Sequence, residues 1–198
     1  MKSVNLKLKI LPLSLMLVMT STFADDVILQ NIEIIGGSEK AKTLPGSGHV
    51  VSKEQMEVEL TDDINQVLKT VPGVYVREED GYGLRPNIGI RGGTSERSDK
   101  ITLMEDGVLI APAPYSNPSA YYFPTIMRMC SLEILKGDPL LKYGPQTTGG
   151  VVNLISTPIP SERSGRLSTF FGENEELNTH MYFGDGSGKI QYLIEAVR

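Results

Sequence analysis

The sequence is poor in the side chains that most metal and nucleophilic sites require. It has two histidines, one cysteine and no tryptophan in 198 residues. His49 and His180 are far apart in sequence, and Cys130 alone can form neither a thiolate cluster nor an internal disulfide. No glycine cluster ends in Gly-Lys-Ser/Thr, and no serine lies in a G-x-S-x-G turn. We therefore expect no enzymatic activity, no metal and no cofactor.

Positive charge is also scarce. Lys and Arg total 19 against 24 Asp and Glu, a net charge of −5. Binding of nucleic-acid phosphates needs clustered Lys and Arg. We therefore expect no nucleic-acid partner.

Long apolar runs are confined to the N-terminus. Three lysines precede an apolar run at residues 10–19, and the small residues Thr22 and Ala24 follow it. This order predicts a secretory signal peptide at residues 1–24, cleaved after Ala24. Cleavage would leave 16 of the 19 basic side chains against 24 acidic ones, a net charge of −8. No later stretch approaches the length of a membrane helix, so insertion in a membrane would require β-strands.

Residues 25–45 are mostly polar and contain a short apolar island, Ile-Glu-Ile-Ile at residues 32–35, before Gly36 and Gly37. This composition predicts a mobile tail with one extended segment rather than packed structure.

Two short helices are predicted next. Ser52 and Gln55 have the spacing of a capping box. Thr61 is the predicted N-cap of a second helix that Pro72-Gly73 ends. The apolar face of this second helix is predicted to contain Ile64, Val67, Leu68 and Val71.

Period-two patterns then predict strands. Asp106-Gly107 between two of them is a two-residue hairpin signal. A loop rich in Tyr, Pro and Asn follows, and Pro124 is a candidate start for a short helix. The predicted strands cover residues 74–76, 87–91, 101–104, 108–110, 131–135 and 151–155.

After Pro160 three further strands are predicted, at residues 164–171, 176–183 and 190–197. Aromatic residues near their ends would suit a membrane girdle. Three strands alone leave an open, unpaired sheet, so we expect the chain to be part of a longer protein. The girdle candidates are Phe171, Tyr182, Phe183 and Tyr192.

Six short segments lie between residues 44 and 160, and their order and spacing are characteristic. They are LKTVPGV (68–74), NIGIRG (87–92), LMEDG (103–107), APY (113–115), EILKG (133–137) and YGPQTTGGVVNL (143–154). Together they resemble the plug domain of TonB-dependent outer-membrane receptors, most closely the ferric dicitrate receptor type.

The resemblance implies an α+β plug domain, a small mixed sheet with short helices, followed by the first antiparallel strands of an incomplete outer-membrane β-barrel. The implied organisation is a signal peptide (1–24), a periplasmic tail with a TonB box (25–45), the plug (46–160) and the first strands of a truncated barrel (161–198). Implied partners are TonB, a ferric chelate ligand and the outer membrane. The implied TonB box, which pairs edge-to-edge with a strand of TonB, is Ile32, Glu33, Ile34 and Ile35.

Ligand contacts are implied for outward-facing plug loops. The resemblance places a glutamine where this chain has Asn117 and an arginine where it has Lys136. The implied function is energised uptake of a ferric chelate, iron(III) dicitrate or a similar siderophore. The alternative is a free periplasmic binding or adaptor module, if the chain naturally ends at Arg198. The implied ligand-binding residues are Tyr82, Arg85, Tyr115, Asn117 and Lys136.

Overall fold

The computed structural model describes residues 32–44, 46–58, 63–79, 84–110, 123–137, 143, 148–172 and 177–198. The helices are α1 (Ser38–Ala41), α2 (Lys53–Val58) and α3 (Ile64–Lys69), with 3-10 turns at Glu96–Ser98 and Ile126–Arg128. The strands are β1 (Ser47–Ser52), β2 (Val74–Arg77), β3 (Asn87–Ile90), β4 (Ile101–Glu105), β5 (Val108–Leu109), β6 (Met129–Lys136), β7 (Gly150–Ser156), β8 (Ser164–Phe171), β9 (Leu177–Asp185) and β10 (Tyr192–Val197).

Five strands form a mixed sheet in the order β1-β6-β7-β4-β5. β6 pairs antiparallel with both β1 and β7, whereas β4 pairs parallel with β7. β2 and β3 form a separate antiparallel pair, and β8–β10 form an open antiparallel sheet. The mixed sheet with short helices confirms the α+β prediction. The described strands show no barrel closure, and no described helix has the length and hydropathy needed to cross a bilayer.

The two faces of the five-stranded sheet have different coverings, because successive side chains of a strand point to opposite faces. One face, with Leu132 and Ile134 of β6, belongs to a cluster of 17 buried residues shared with α2, α3 and the β2–β3 pair. The other face, with Leu135 and Val151, forms a smaller cluster with Ile35 from the segment before α1. The main hydrophobic core therefore lies on the face covered by α2 and α3.

Local capping rules account for both longer helices. The Ser52 amide donates to Gln55 Oε1 at 2.9 Å, and the Gln55 amide donates to Ser52 Oγ at 3.4 Å, which confirms the capping box. The N-cap of α3 is Asp63, whose carboxylate accepts from the Asn65 amide at 2.8 Å. The prediction of Thr61 as N-cap is wrong, because an aspartate nearer the apolar face caps equally well.

The predicted hairpin at Asp106-Gly107 is confirmed. Glu105 pairs with Val108 across a two-residue turn whose φ angles are 49° and 75°. Positive φ at both central positions is characteristic of a type I′ turn. The Asp106 carboxylate also accepts from the Ser156 amide at 2.9 Å, which ties the turn to β7.

The mobile, extended tail predicted for residues 25–45 is wrong for its described part. Ile35 is only 5% exposed, and residues 38–41 form α1. The chain bends at Ile34 and Ile35 instead of extending. It packs because its backbone amides meet a buried carboxylate, described below.

The open sheet β8–β10 is two-sided. Apolar side chains on one side are exposed, whereas residues on the other side, such as Phe170 and His180, face Met56 of α2 and Ile126 of the second 3-10 turn. The exposed side includes Leu167, Phe171, Leu177, Met181, Phe183 and Ile194. The predicted signal peptide and the loop rich in Tyr, Pro and Asn at 111–122 lie outside the described residues.

Candidate functional site

A buried carboxylate occupies the middle of the sheet. Glu133 on β6 is 1% exposed and has Val50 on β1 and Asn153 on β7 as cross-strand neighbours. Burial of an unpaired carboxylate would cost several kcal/mol, so such a group needs hydrogen-bond donors.

Four donors surround Glu133. Its Oε2 accepts from the Ile34 amide at 2.7 Å and from Asn153 Nδ2 at 3.0 Å. Its Oε1 accepts from the amides of Ile35 and Gly36, both at 3.0 Å. Each carboxylate oxygen therefore holds two hydrogen bonds. We call residues 32–36 the docked segment.

The docked segment owes its geometry to a bent backbone. Successive N–H groups of an extended strand point to opposite sides and cannot share one acceptor. Bends at Ile34 and Ile35, followed by Gly36 at φ 79°, turn three consecutive N–H groups toward Glu133. Glycine adopts this positive φ at little steric cost. Such a concave array of amides is a binding site for an anion, and here the anion is supplied by the protein itself.

Asn153 connects the docked segment to the β4–β5 turn. It is fully buried, and its Nδ2 also donates to the Ile32 carbonyl at 3.2 Å. Its Oδ1 accepts from the Gly107 amide at 2.9 Å. A Cβ at Gly107 would lie 2.6 Å from Ile32 Cγ2, so the turn and the segment are in close contact.

The outer half of the docked segment is exposed and its inner half is buried. Ile32 is 60% exposed and Glu33 is exposed, whereas Ile35 packs in the smaller apolar cluster. Tyr143 Oη donates to the Ile34 carbonyl at 3.4 Å. The four residues predicted as the TonB box therefore lie together on the plug sheet, held mainly through their backbone.

Sequence reasoning missed Glu133 and Asn153 as functional candidates. Each is a single polar residue between apolar neighbours in a strand that is otherwise buried on both faces, as in Leu132-Glu133-Ile134. That pattern was a usable signal, since a carboxylate or amide in such a strand must meet a partner. The partner itself lies 97 to 99 residues away from Glu133 in the chain.

Three of the predicted ligand residues, Tyr82, Tyr115 and Asn117, lie outside the described residues. Arg85 is described and exposed, two residues before β3. Lys136 is 4% exposed at the end of β6, and its Nζ donates to the Pro72 carbonyl at 2.6 Å. Burial, and secondarily the charge of Arg91, lowers the pKa of Lys136.

The structure does not bring Arg85 and Lys136 together. Lys136 binds Pro72, next to the end of the β2–β3 pair where Val74 faces Ile90. Arg85 precedes Asn87, at the opposite end of the same pair. Four-residue strands at about 3.3 Å per residue separate the two ends by roughly 10 Å. The ligand roles of all five residues stay predictions.

The described residues include no cluster of three or more His, Cys, Asp or Glu side chains arranged to hold a metal ion. The two histidines occupy separate sheets. His180 lies on β9 with its Nε2 2.7 Å from Glu195 Oε1, and His49 lies on β1.

Comparison with known proteins agrees with the fold described above. The family described as TonB-dependent Receptor Plug Domain matches residues 40–151. A vitamin B12 transporter, BtuB of Photobacterium profundum, is 29% identical over 125 residues, which are 63% of this chain and 20% of the relative.

Solved structures of similar fold include the ferric citrate transporter FecA in its unliganded form. It is 25% identical with a TM-score of 0.58, over 74% of this chain and 24% of that one. Pseudomonas aeruginosa FpvA, bound to heterologous pyoverdines, is 22% identical with a TM-score of 0.58, over 71% of this chain and 18% of that one. The chain thus spans about a fifth of the curated relative and about a quarter or less of these structures.

The family match covers more than half of the chain and contains strands β1 to β6, helices α2 and α3, and Glu133; it ends at residue 151, at the start of β7. Receptors of this family reside in the outer membrane and are transporters rather than enzymes, which confirms the predicted location and the predicted lack of enzymatic activity. The chain belongs to the TonB-dependent receptor plug domain family.

Proposed function

We propose that this chain supplies the coupling segment, the plug and the first wall strands of an outer-membrane receptor that takes up a ferric chelate with energy delivered through TonB. The observation that carries the proposal is the docked segment. A short apolar segment precedes the plug and lies on its sheet. It is held mainly by hydrogen bonds of its backbone rather than by packing of its side chains. A coupling element must be positioned in this way, because it has to be reachable and detachable.

The exposed side of β8–β10 supports placement of these strands in a membrane wall. Its side chains are apolar and exposed, for example Leu167 at 69% and Phe171 at 82%. The opposite side contains polar residues such as Ser168 and His180 that face the plug. Wall strands of outer-membrane transporters alternate in this way between lipid-facing apolar and inward-facing polar residues.

Iron(III) dicitrate or a similar siderophore is the proposed cargo. The similarity to the ferric citrate transporter FecA supports this class. An anionic chelate covered with carboxylate oxygens needs fixed positive charge and hydrogen-bond donors. Among the predicted contacts, exposed Arg85 can provide a bidentate guanidinium, whereas Lys136 is already bound to Pro72. A corrinoid is the second candidate, favoured by the similarity to the vitamin B12 transporter.

The coupling role is tested by Ile34→Pro in the full-length receptor, with Ile34→Ala as matched control. Proline removes the Ile34 N–H that an incoming strand would use, whereas alanine keeps it. We expect Ile34→Pro to abolish uptake of radiolabelled ferric citrate and to leave its binding unchanged, and Ile34→Ala to transport. Normal uptake by Ile34→Pro would show that coupling does not use this segment.

The cargo is tested by titration calorimetry with ferric citrate and with cyanocobalamin. A charge-assisted hydrogen bond is worth about 1.5–3 kcal/mol, so Arg85→Ala should weaken ferric citrate binding about tenfold or more. Arg85→Lys keeps the charge but loses the planar guanidinium group, so its affinity for ferric citrate should lie between those of the wild type and Arg85→Ala. Binding of cyanocobalamin with no response to ferric citrate would replace the proposed cargo with the second candidate.

A further inference from the structure

We propose that Glu133 is a positioning residue that holds the docked segment in a conformation unable to pair with a partner strand, so that docking and coupling exclude each other. This inference rests on the proposed function. It adds the residue that controls when the coupling segment is available.

The docked state uses the backbone groups that strand pairing needs. An added strand bonds to N–H and C=O groups along one edge of an extended segment. Here the N–H groups of Ile34, Ile35 and Gly36 all donate to Glu133. The carbonyls of Ile32 and Ile34 accept from Asn153 and Tyr143. The same groups cannot serve a partner strand at the same time.

The docked state also has the wrong shape for pairing. Its backbone bends at Ile34 and Ile35, and Gly36 and Gly37 have φ angles of 79° and 99°. Straightening these residues would point alternate N–H groups away from Glu133 and draw Ile35 out of its apolar cluster. Pairing therefore requires that the segment leave the sheet first.

A carboxylate is the one side chain of this size that suits the site. All of its hydrogen-bonding capacity is acceptor, and each oxygen already receives two donors. Glu133→Gln keeps the volume but replaces one oxygen with an NH₂ group. Whichever oxygen is replaced, the new NH₂ faces two N–H donors. The substitution therefore removes the hold on the segment without opening a cavity.

The chain offers a matched control in the same sheet. Glu105 on β4 is mostly buried and pairs with Arg128, and it makes no described hydrogen bond to the docked segment. Glu105→Gln loses a carboxylate charge from the same sheet, at a position where the side chain is 18% exposed. It therefore shows the effect of a weakened sheet alone, because the hydrogen bonds between Glu133 and the docked segment stay in place.

The first measurement is hydrogen exchange of the full-length receptor. We expect the amides of residues 34–36 to exchange at least tenfold faster in Glu133→Gln than in the wild type, with the amides of β6 and β7 little changed. Glu105→Gln should leave residues 34–36 at the wild-type rate. Wild-type exchange of these amides in Glu133→Gln would overturn the proposal.

The second measurement is the affinity of the same proteins for the purified periplasmic domain of TonB. A larger undocked fraction lowers the apparent dissociation constant in proportion. We expect Glu133→Gln to bind at least tenfold more tightly than the wild type and Glu105→Gln to bind as the wild type does. Released amides with unchanged or weaker TonB affinity would overturn the proposal, because a residue with only a structural role would give that result.

A further variant covers the case in which Glu133→Gln does not fold. Ile35→Ala keeps every backbone donor and weakens only the packing of the segment, so it should shift both measurements in the same direction. Unchanged values would overturn the proposal. Absence of TonB binding by all proteins, with exchange rates that do respond, would instead refute the proposed coupling function and the exclusion built on it.

Discussion

Asn153→Asp is the sharpest test of the polar pair in the sheet. The substitution keeps the size of the side chain and the acceptor for the Gly107 amide. It removes the Nδ2 donor that lies 3.0 Å from Glu133 Oε2 and 3.2 Å from the Ile32 carbonyl. Two carboxylates then face each other in a fully buried site.

The expected loss of stability depends on how the two facing carboxylates reduce their mutual repulsion. Two charges 3 Å apart repel by about 5–6 kcal/mol at an effective dielectric constant of 20. Protonation of the introduced aspartate, whose ordinary pKa is near 4, costs about 4 kcal/mol at pH 7, and this cost falls by about 1.4 kcal/mol for each pH unit below. Protonation is the cheaper route, and it restores an O–H donor toward the other carboxylate. The lost bond to Ile32 adds about 1 kcal/mol at any pH.

We therefore expect the free energy of unfolding of Asn153→Asp to lie about 4–5 kcal/mol below the wild type at pH 7 and about 2–3 kcal/mol below it at pH 5. The sign is unusual, since the folded variant holds a proton that the unfolded chain releases, so acid stabilises it. Urea titrations at the two pH values measure the difference as a midpoint shift of roughly 1 M.

The double variant Asn153→Asp, Glu133→Gln is the control. It removes one of the two facing carboxylates, so the recovery at low pH should disappear. A single variant that loses stability in acid as the wild type does would refute the assignment of Glu133 and Asn153 as a buried, directly bonded pair.

Three further predictions concern other parts of the chain. Burial, and then the charge of Lys136, lowers the pKa of His49 in the folded protein. Below about pH 6.5 the unfolded chain therefore binds a proton at this residue more readily than the folded protein does, and the free energy of unfolding falls. His49→Gln should reduce this loss in urea titrations. A Cβ at Gly89 would overlap the Tyr75 ring on the paired strand, so Gly89→Ala should displace this ring and lower the thermal midpoint, and Tyr75→Ala should relieve most of that loss. N-terminal mass spectrometry of the exported protein should find Asp25 as the first residue, and a retained Met1 would contradict the predicted signal peptide.

Local patterns in the sequence predicted most of the elements. The spacing of Ile64, Val67, Leu68 and Val71 predicted α3 because one helical face must be buried, and all four side chains are at most 1% exposed. The hairpin at Asp106-Gly107 was equally predictable, since few residue pairs accept positive φ at both positions. These features depend only on residues that are close together in the sequence.

The docked segment could not be predicted in the same way. Its polar surroundings, its own Gly36 and the following Gly37 are typical of a mobile tail, and nothing within it shows that three amides will converge on Glu133. The same difficulty affects Lys136, predicted as a ligand contact from its place in EILKG. Its ammonium binds the Pro72 carbonyl across the fold, a contact fixed by tertiary packing rather than by local sequence.

The unequal faces of the plug sheet explain how one domain can be both stable and able to release a segment. Among the described residues, the main core has 17 buried members and contains no side chain of the docked segment. The segment contributes one buried side chain, Ile35, whose burial is worth about 1.5–3 kcal/mol, and Ile34 packs partly buried against the same small cluster. Its remaining attachment is polar and centred on Glu133, so water can replace those hydrogen bonds when the segment leaves. Undocking is therefore a local opening that leaves the main core intact, and a single carboxylate can set its probability while the main core stays packed.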